Sequence, residues 1–387
     1  MKRAAVAVVG GGVIGASIAY HLAKRGVRDV LVLDRGREPG EGSTGKATGG
    51  FRGQFATSVN VRLSLLAREK LLHFRDEVGI DPGYVQAGYL FMASSEHVLA
   101  ALRAALAVQN AAGLTESAEV DPHEIERINP AVSLEGIIGG SWCPTDGFIV
   151  PTDILRGYVA AATRLGVKFE WGVEVNEVLT VKDRSAGGLS TSRGDVSADA
   201  VINAAGAWAG MLRCGSHINA AVTPLKRQVA LTEPTDVLPG AMPMTIFLDT
   251  GFHLRVRNGR VMLVGPTPEA KDNSLETGVD DEWVASVHAE ALQRVPALAD
   301  VRIDRGGCYA GYYEMSPDKH AILGAAPWCD NLFLANGSSG HGVMHAPAIG
   351  QLLAEIVCDG VASSLDVSAL RPTRFSERAP NVPTDLL

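Results

Sequence analysis

Cysteine is scarce in this chain of 387 residues, with five copies at positions 143, 214, 308, 329 and 358. Their number is odd and their spacing wide. Neither a CxxC pair nor a His/Cys cluster at zinc spacing occurs, so the sequence offers no disulfide framework and no structural zinc site. The thiols read as reduced. Excess positive charge is missing too: 35 Lys and Arg against 43 Asp and Glu leave a formal charge of -8 and no electrostatic footprint for nucleic acid. Also absent is any apolar run of the roughly 20 residues that a membrane span requires. The best candidate, Ala4 to Ala19, is broken by Gly10, Gly11, Gly12 and Gly15 and is ended by His21, Lys24 and Arg25. Met1-Lys2-Arg3 ahead of that stretch could open a signal peptide, but the glycines spell a different motif, and a cytoplasmic location is expected. Internal repeats and low-complexity segments are lacking. What remains, 46% hydrophobic and 20% charged residues, is the composition of a globular protein, and the length suits two to three domains.

The apolar pattern then orders the chain. Ala4 to Val9 is a nearly continuous apolar run, as in a strand covered on both faces of a parallel sheet. Ile14, Ile18 and Leu22 recur at four-residue spacing and Gly26 marks a helix end, after which Val30 to Leu33 forms a second strand ending in Asp34. Residues 36–56 hold seven glycines and read as a long functional loop, followed by helical spacing from Asn60 to Phe74. Between Tyr84 and Ser141 the texture changes to a strand (Tyr89 to Ala93) and two helical stretches (Val98 to Ala111, His123 to Ile128). The α/β rhythm resumes with a helix from Thr152 to Leu165 and strand-like runs at Val167 to Val181 and Val196 to Asn203. Alternation from Val222 to Val264, with turns at Asp249 to Gly251 and Asn258-Gly259, predicts an antiparallel sheet. Leu332 to Ala335 predicts a last strand, and Ile349, Leu352, Leu353, Ile356 and Val357 mark one face of a final helix.

The first strand–helix turn reads Val9-Gly10-Gly11-Gly12-Val13-Ile14-Gly15, a G-x-G-x-x-G in its proper setting. Gly10 permits the tight turn, Gly12 lets a pyrophosphate approach backbone N–H groups where Val13 and Ile14 open the helix, and Gly15 lets helix and strand pack closely. Asp34, 24 residues after Gly10 and next to Arg35, is placed to accept a hydrogen bond from an adenosine ribose. This fingerprint serves FAD and NAD alike. Two later strand-to-turn segments, Asn203-Ala204-Ala205-Gly206-Ala207-Trp208 and Asn336-Gly337-Ser338-Ser339-Gly340-His341-Gly342, offer further loops of N–H donors, although each alone is also what an ordinary turn looks like. Three such loops from distant segments favour an extended dinucleotide over a transient nicotinamide.

Together these pieces resemble the FAD-dependent D-amino acid oxidase superfamily, in the branch of sarcosine oxidase, glycine oxidase and the β subunits of sarcosine or proline dehydrogenase. The likeness covers most of the chain. It rests on the N-terminal fingerprint, the loop Gly42-Ser43-Thr44-Gly45-Lys46-Ala47-Thr48-Gly49-Gly50-Phe51-Arg52, the segment Val201 to Trp208, Met315-Ser316-Pro317-Asp318, and Ser339-Gly340-His341-Gly342. It implies an α/β fold, α+β overall, with a discontinuous Rossmann-like FAD-binding domain (residues 1–82, 146–218 and 312–387) and a second, antiparallel-sheet substrate domain (83–145 and 219–311). The residues it implies for FAD are Gly10, Gly12, Val13, Ile14, Gly15, Asp34, Arg35, Gly42, Ser43, Thr44, Lys46, Thr48, Gly49, Gly50, Val175, Ala205, Gly206, Trp208, Gly337, Ser339, Gly340, His341, Gly342 and Val343. For the substrate it implies Arg52, His253, Arg255, Tyr313 and Met344, with Arg52, His253 and His341 as catalytic candidates.

Arg52 matches the arginine that pairs with the substrate carboxylate in the sarcosine oxidase branch, a task suited to the guanidinium fork, though a loop brace is the plainer use. His253, Arg255 and Arg257 alternate opposite Phe252, Leu254 and Val256 on one strand, facing either the flavin or solvent. His341 and His345 share a helix face, but no carboxylate ligand or HExxH accompanies them, so no metal is expected. The implied chemistry is oxidation of the C–N bond of a small secondary or N-methyl amino acid, hydride passing to flavin N5 and the imine hydrolysing. Oxygen or an electron-transfer acceptor, and an additional subunit, are the implied partners. A 2-hydroxy acid dehydrogenase and a non-catalytic flavin-holding subunit or assembly factor are the alternatives. Departures from the family also count. Met344 replaces a carboxylate-binding lysine, and Leu263 aligns with the lysine linked to oxygen reactivity. Gly311 (with Cys308 out of register) and Thr152 stand where relatives tether flavin, so FAD is expected to be held without a covalent bond.

Overall fold

The computed structural model describes residues 2–181, 184–215, 217–218, 220–267 and 275–382. Met1, residue 219 and residues 383–387, which open, bound or close the expected segments, lie outside the described residues. From the N-terminus, β1 (Lys2–Val9) turns into α1 (Val13–Lys24) and β2 (Val30–Asp34), as the apolar runs predict. Further on come β3 (Val196–Asn203), β4 (Thr223–Leu231), β5 (Phe252–Arg257), β6 (Arg260–Val264), β7 (Tyr309–Met315), β8 (Leu332–Asn336) and α2 (Gly342–Asp359).

Among the described residues the first sheet has ten strands, around the parallel set β8, β3, β1, β2. Val9 pairs with Asn203 on one side and with Leu33 on the other, so the carboxyl ends of β1, β2 and β3 end level. Val8, Val32 and Ile202 are fully buried there, as strands covered on both faces require. Ile18 and Leu22 of α1 join them, and α1 packs on α2. That contact is close because Gly350 of α2 has no side chain: a Cβ there would overlap Ser17.

The second sheet has eight strands, with β7, β4, β6 and β5 in order, then Met244–Phe247 and Tyr89–Ala93. It is antiparallel as expected, save that Met244–Phe247 runs parallel to Tyr89–Ala93. Phe252, Leu254, Val256 and Leu263 bury one face against the helix Asp281–Arg294, leaving the other face for the cavity described below. One expected strand is in fact two. Lys168–Trp171 pairs with β2, whereas Val175–Val181 pairs with Ser185–Thr191 across the sheet. Gly172, at φ +68°, lets the chain turn between them. The expected loop 36–56 contains a helical turn, Ser43–Lys46, and a short strand, Gly50–Phe51, paired with Gly147–Phe148. Two cysteines distant in sequence, Cys214 and Cys329, meet as free thiols with 2.8 Å between their sulfurs.

The C-terminal segment is fixed by a buried ion pair. Arg374 donates from Nε and Nη2 to the two oxygens of Asp318 at 2.8 and 2.9 Å, and neither residue is more than 1% exposed. Asn381 adds a backbone and a side-chain N–H to the same carboxylate, each at 3.0 Å. Among the described residues no helix is long and apolar enough to cross a membrane.

Candidate active site

A cavity of about 1340 Å³ opens at the carboxyl ends of β1 and β2 and runs under the second sheet. Its first part is the turn between β1 and α1. Gly10 has φ +103°, and a Cβ there would overlap the Ala204 carbonyl, so the turn closes against the end of β3 only with glycine. Gly12, by contrast, faces open space with Thr44 Oγ1 as its nearest neighbour at 3.5 Å. The N-cap residue of α1, Gly12, has no side chain to cap it; Thr44 Oγ1 accepts from the Val13 N–H at 3.2 Å, and the N–H groups that follow in the first turn are placed for an anion. Asp34 accepts from the N–H groups of Gly11 and Gly36, both at 2.6 Å, and thereby ties the turn to the end of β2. Burial pushes its carboxyl above the usual range, although these N–H bonds oppose the shift. Arg35 stacks 3.9 Å above the Trp208 ring.

The cavity is lined by Gly10, Gly12, Val13, Ile14, Asp34 and Arg35, and then by Gly42, Ser43, Thr44, Lys46, Thr48, Gly49 and Gly50 of the glycine-rich segment. Val175, Ala205, Gly206 and Trp208 also line it, as do Ser339, Gly340, His341, Gly342, Val343 and Met344. Arg52, His253 and Tyr313 complete the group. Three of the residues implied for the site stand elsewhere. Gly15 lies behind the turn, where a Cβ would overlap the Gly10 carbonyl, which is the packing use expected of it. Gly337, at φ +68°, packs on Ser316 and Ile322. Arg255 lies under the wall rather than in it, donating to the carbonyls of Thr48 and Gly49 at 2.9 and 3.2 Å with its guanidinium 3.5 Å from the Phe148 ring. Arg257 reaches the Ala47 carbonyl. The polar face of β5 is therefore turned inward, and two of its three long side chains brace the loop that carries Thr48 and Gly49.

Arg52 is 4% exposed. It donates to the Gln54 carbonyl at 3.0 Å and to His341 Nε2 at 3.1 Å, and it lies 4.2 Å from the Phe55 ring and 5.5 Å from that of Phe91. Among the described residues no carboxylate comes within 4.0 Å of it. Burial lowers its pKa to about 10, which leaves it charged at neutral pH. His253 Nδ1 donates to the Gly251 carbonyl at 3.0 Å. Burial, reinforced by Arg227 and Arg52, lowers its pKa to about 4, so the imidazole is neutral and its other nitrogen is an acceptor. His341 turns to Arg52 and His345 to Ser64 (2.8 Å), so the two histidines do not share a ligand. Among the described residues no group of three or more His, Cys, Asp or Glu gathers that could hold a metal.

Residues that the sequence did not single out support this centre. Asp146 accepts from the Gly53 N–H at 2.6 Å and from Gln54 Nε2 at 3.1 Å, fixing the backbone next to Arg52. Glu314 of β7 lines the cavity with one oxygen accepting from the Ser338 N–H at 3.2 Å. Its other oxygen is buried and without a partner among the described residues, as is Trp208 Nε1. Neither acid carries a periodic or motif signal. Leu263 is buried in the core on the far face of β6, whereas Val264, paired with His253, lines the cavity. Strand side chains alternate, so a shift of one residue decides which face a position serves. Gly311 does line the cavity, whereas Cys308 and Thr152 do not.

Burial pushes the Glu314 carboxyl from 4.5 up to about 7. Between those values the folded chain keeps a proton that the unfolded chain has released, so this group makes stability fall as pH rises from about 4.5 to 7. Glu314→Gln is expected to flatten that stretch of the curve. Denaturant unfolding at stepped pH checks it, and an unaltered slope would remove Glu314 from the account.

The fit to a flavin dinucleotide follows from these features: a glycine turn that a Cβ would block, a helix start whose N-cap residue, Gly12, has no side chain, and a buried polar atom on each of the lining residues Glu314 and Trp208 that is without a partner among the described residues. Comparison with known proteins agrees. A family model described as "FAD dependent oxidoreductase" matches residues 5–356. The chain is 28% identical to the FAD-dependent oxidoreductase domain-containing protein 1 of Xenopus laevis, over 98% of this chain and 84% of that one. It is 30% identical to the 4-methylaminobutanoate oxidase (formaldehyde-forming) of Paenarthrobacter nicotinovorans, spanning 95% of this chain but 45% of that protein. Among solved structures, L-proline dehydrogenase from P. horikoshii superposes with a TM-score of 0.90 at 28% identity, covering 98% of this chain and 100% of the other. Glycine oxidase from Geobacillus kaustophilus does so with a TM-score of 0.82 at 26% identity, over 97% and 99% of the two chains.

Proposed function

Because the chain belongs to the family of FAD dependent oxidoreductases, we propose that it oxidises the C–N bond of a small amino acid, secondary or N-methylated, with FAD held non-covalently. One observation carries this reading: the buried guanidinium of Arg52 lines the cavity with no carboxylate of the described residues within 4.0 Å. A buried charge is costly unless paired, and a planar carboxylate is the partner its fork fits best. Bound FAD would supply the two-electron oxidant.

The chain's own residues do the rest by position and charge. The Gly10–Ile14 turn, Thr44 and Asp34 would hold the nucleotide end, and the Ser339–Val343 segment at the start of α2 the ring end. Arg52 fixes the substrate carboxylate, and its tie to His341 fixes Arg52. The amine then lies in a dry, positively charged pocket beside neutral His253, surroundings that disfavour the ammonium form and favour the free amine that can be oxidised. Non-covalent binding is supported by Gly311 in the cavity wall and by the distance of Cys308 and Thr152 from it. We further take the two sheets as the cores of two domains, the first built from three separated segments. On this reading strand β7, which pairs in the second sheet, is counted with the second domain.

The test is spectroscopic. The purified protein is expected to be yellow, to lose its colour to the supernatant on acid precipitation, and to bleach without oxygen when mixed with its amino acid, with sarcosine, proline and glycine as first probes. Bleaching by 2-hydroxyglutarate alone would transfer the activity to hydroxy acids. Colourless protein that does not take up FAD would end the reading.

A further inference from the structure

The substrate end of the cavity holds more positive charge than one carboxylate requires. Arg227, on β4, lines the same cavity. Its guanidinium lies 5.5 Å from the Tyr313 ring, and among the described residues no carboxylate comes within 4.0 Å of it. A chain of contacts joins it to Arg52. The Tyr313 ring packs on Gly340, whose φ of +95° and missing Cβ make room for it, and the next residue, His341, accepts from Arg52. Both arginines are near enough to His253 to press its imidazole toward the neutral form. The acids lining the cavity are concentrated at the nucleotide end, around Asp34, Glu41 and Glu174; at this end stands Glu314, engaged with Ser338.

We propose that the substrate is an amino acid bearing two carboxylates, one held by Arg52 and the other by Arg227, with the amine between them. This rests on the reading of Arg52 as a carboxylate clamp. Each guanidinium–carboxylate pair is a charge-assisted contact, and the second makes the acid side chain a requirement for tight binding rather than a tolerated addition. Met344, which also lines the cavity, carries no charge and leaves the first carboxylate to Arg52.

The proposal is tested on the FAD-loaded protein by calorimetric titration with pentanoate and pentanedioate, which share a chain length and carry no amine to be oxidised. Pentanedioate is expected to bind about ten-fold more tightly or better. Arg227→Gln is expected to reduce that preference to less than about three-fold, and Arg227→Lys to restore part of it. Equal affinities in the unaltered protein overturn the two-carboxylate substrate while leaving Arg52 its role. A preference that survives Arg227→Gln overturns the assignment to Arg227. Failure of both acids to bind overturns the clamp itself and the proposal with it. Should the variant lose its flavin, the unaltered protein still decides: N-methylaspartate is expected to bleach it at about a ten-fold lower half-saturating concentration than N-methylalanine, and the reverse order overturns the proposal.

Discussion

Arg52→Ala is expected to raise the KM for the amino acid substrate by roughly 10- to 150-fold, the equivalent of about 1.5–3 kcal/mol for a hydrogen-bonded charge. The expectation follows from how the side chain is held. Phe55 and Phe91 exclude water around the guanidinium, while Gln54 and His341 fix its orientation, so little reorganisation is needed when a carboxylate arrives. Arg52→Lys keeps the charge but loses the fork and recovers part of the affinity. Flavin absorbance measured in the same samples separates loss of substrate binding from loss of the cofactor. An unchanged KM would leave Arg52 as a brace for its loop.

The largest effect on stability is expected from Arg374→Ala, about 3–5 kcal/mol, because it strands the Asp318 carboxylate in the interior. Burial alone would raise the pKa of that acid, but Arg374 and Asn381 hold it down to about 2, below its ordinary 3.8. The stabilisation is therefore complete above about pH 4 and is lost as pH falls through about 2. In the variant the sign reverses, since protonating the stranded acid relieves it. Urea unfolding at pH 7 and pH 4 checks both statements, and a variant equally destabilised at the two values would refute the electrostatic account. Function is coupled to this pair: Asp318 ends the segment whose Ser316 N–H donates to Ser339 at 3.1 Å, so loosening it also loosens the loop at the start of α2.

The parts of this molecule legible in its sequence are those whose signal is local. The run from β1 through α1 to β2 declares itself by apolar spacing and glycine position, and the structure forms it as read. The alternation in β5 likewise gives the right two faces. It does not reveal where a long side chain ends, because that depends on a partner about 200 residues away: Arg255 ends on the carbonyls of Thr48 and Gly49. Asp146 and Glu314 are single acids in apolar surroundings, and only the fold shows that one buttresses Arg52 and the other faces the cavity. In β6, Leu263 lies in the core and Val264 in the cavity wall, because one step along a strand turns a side chain to the opposite face.

The pairing of β1 with β3 has a further consequence. Lys2 to Val9 lie against Val196 to Asn203, and Ile14, in the first turn of α1, packs beside Gly342 at the start of α2. Most of the chain must have left the ribosome before the N-terminal turn has its walls. Contacts so widely separated form late and slowly. The nascent polypeptide therefore carries the β1–β2 pair without its β3 neighbour and without pigment, and both chaperone supply and free flavin nucleotide during expression should govern how much of it matures.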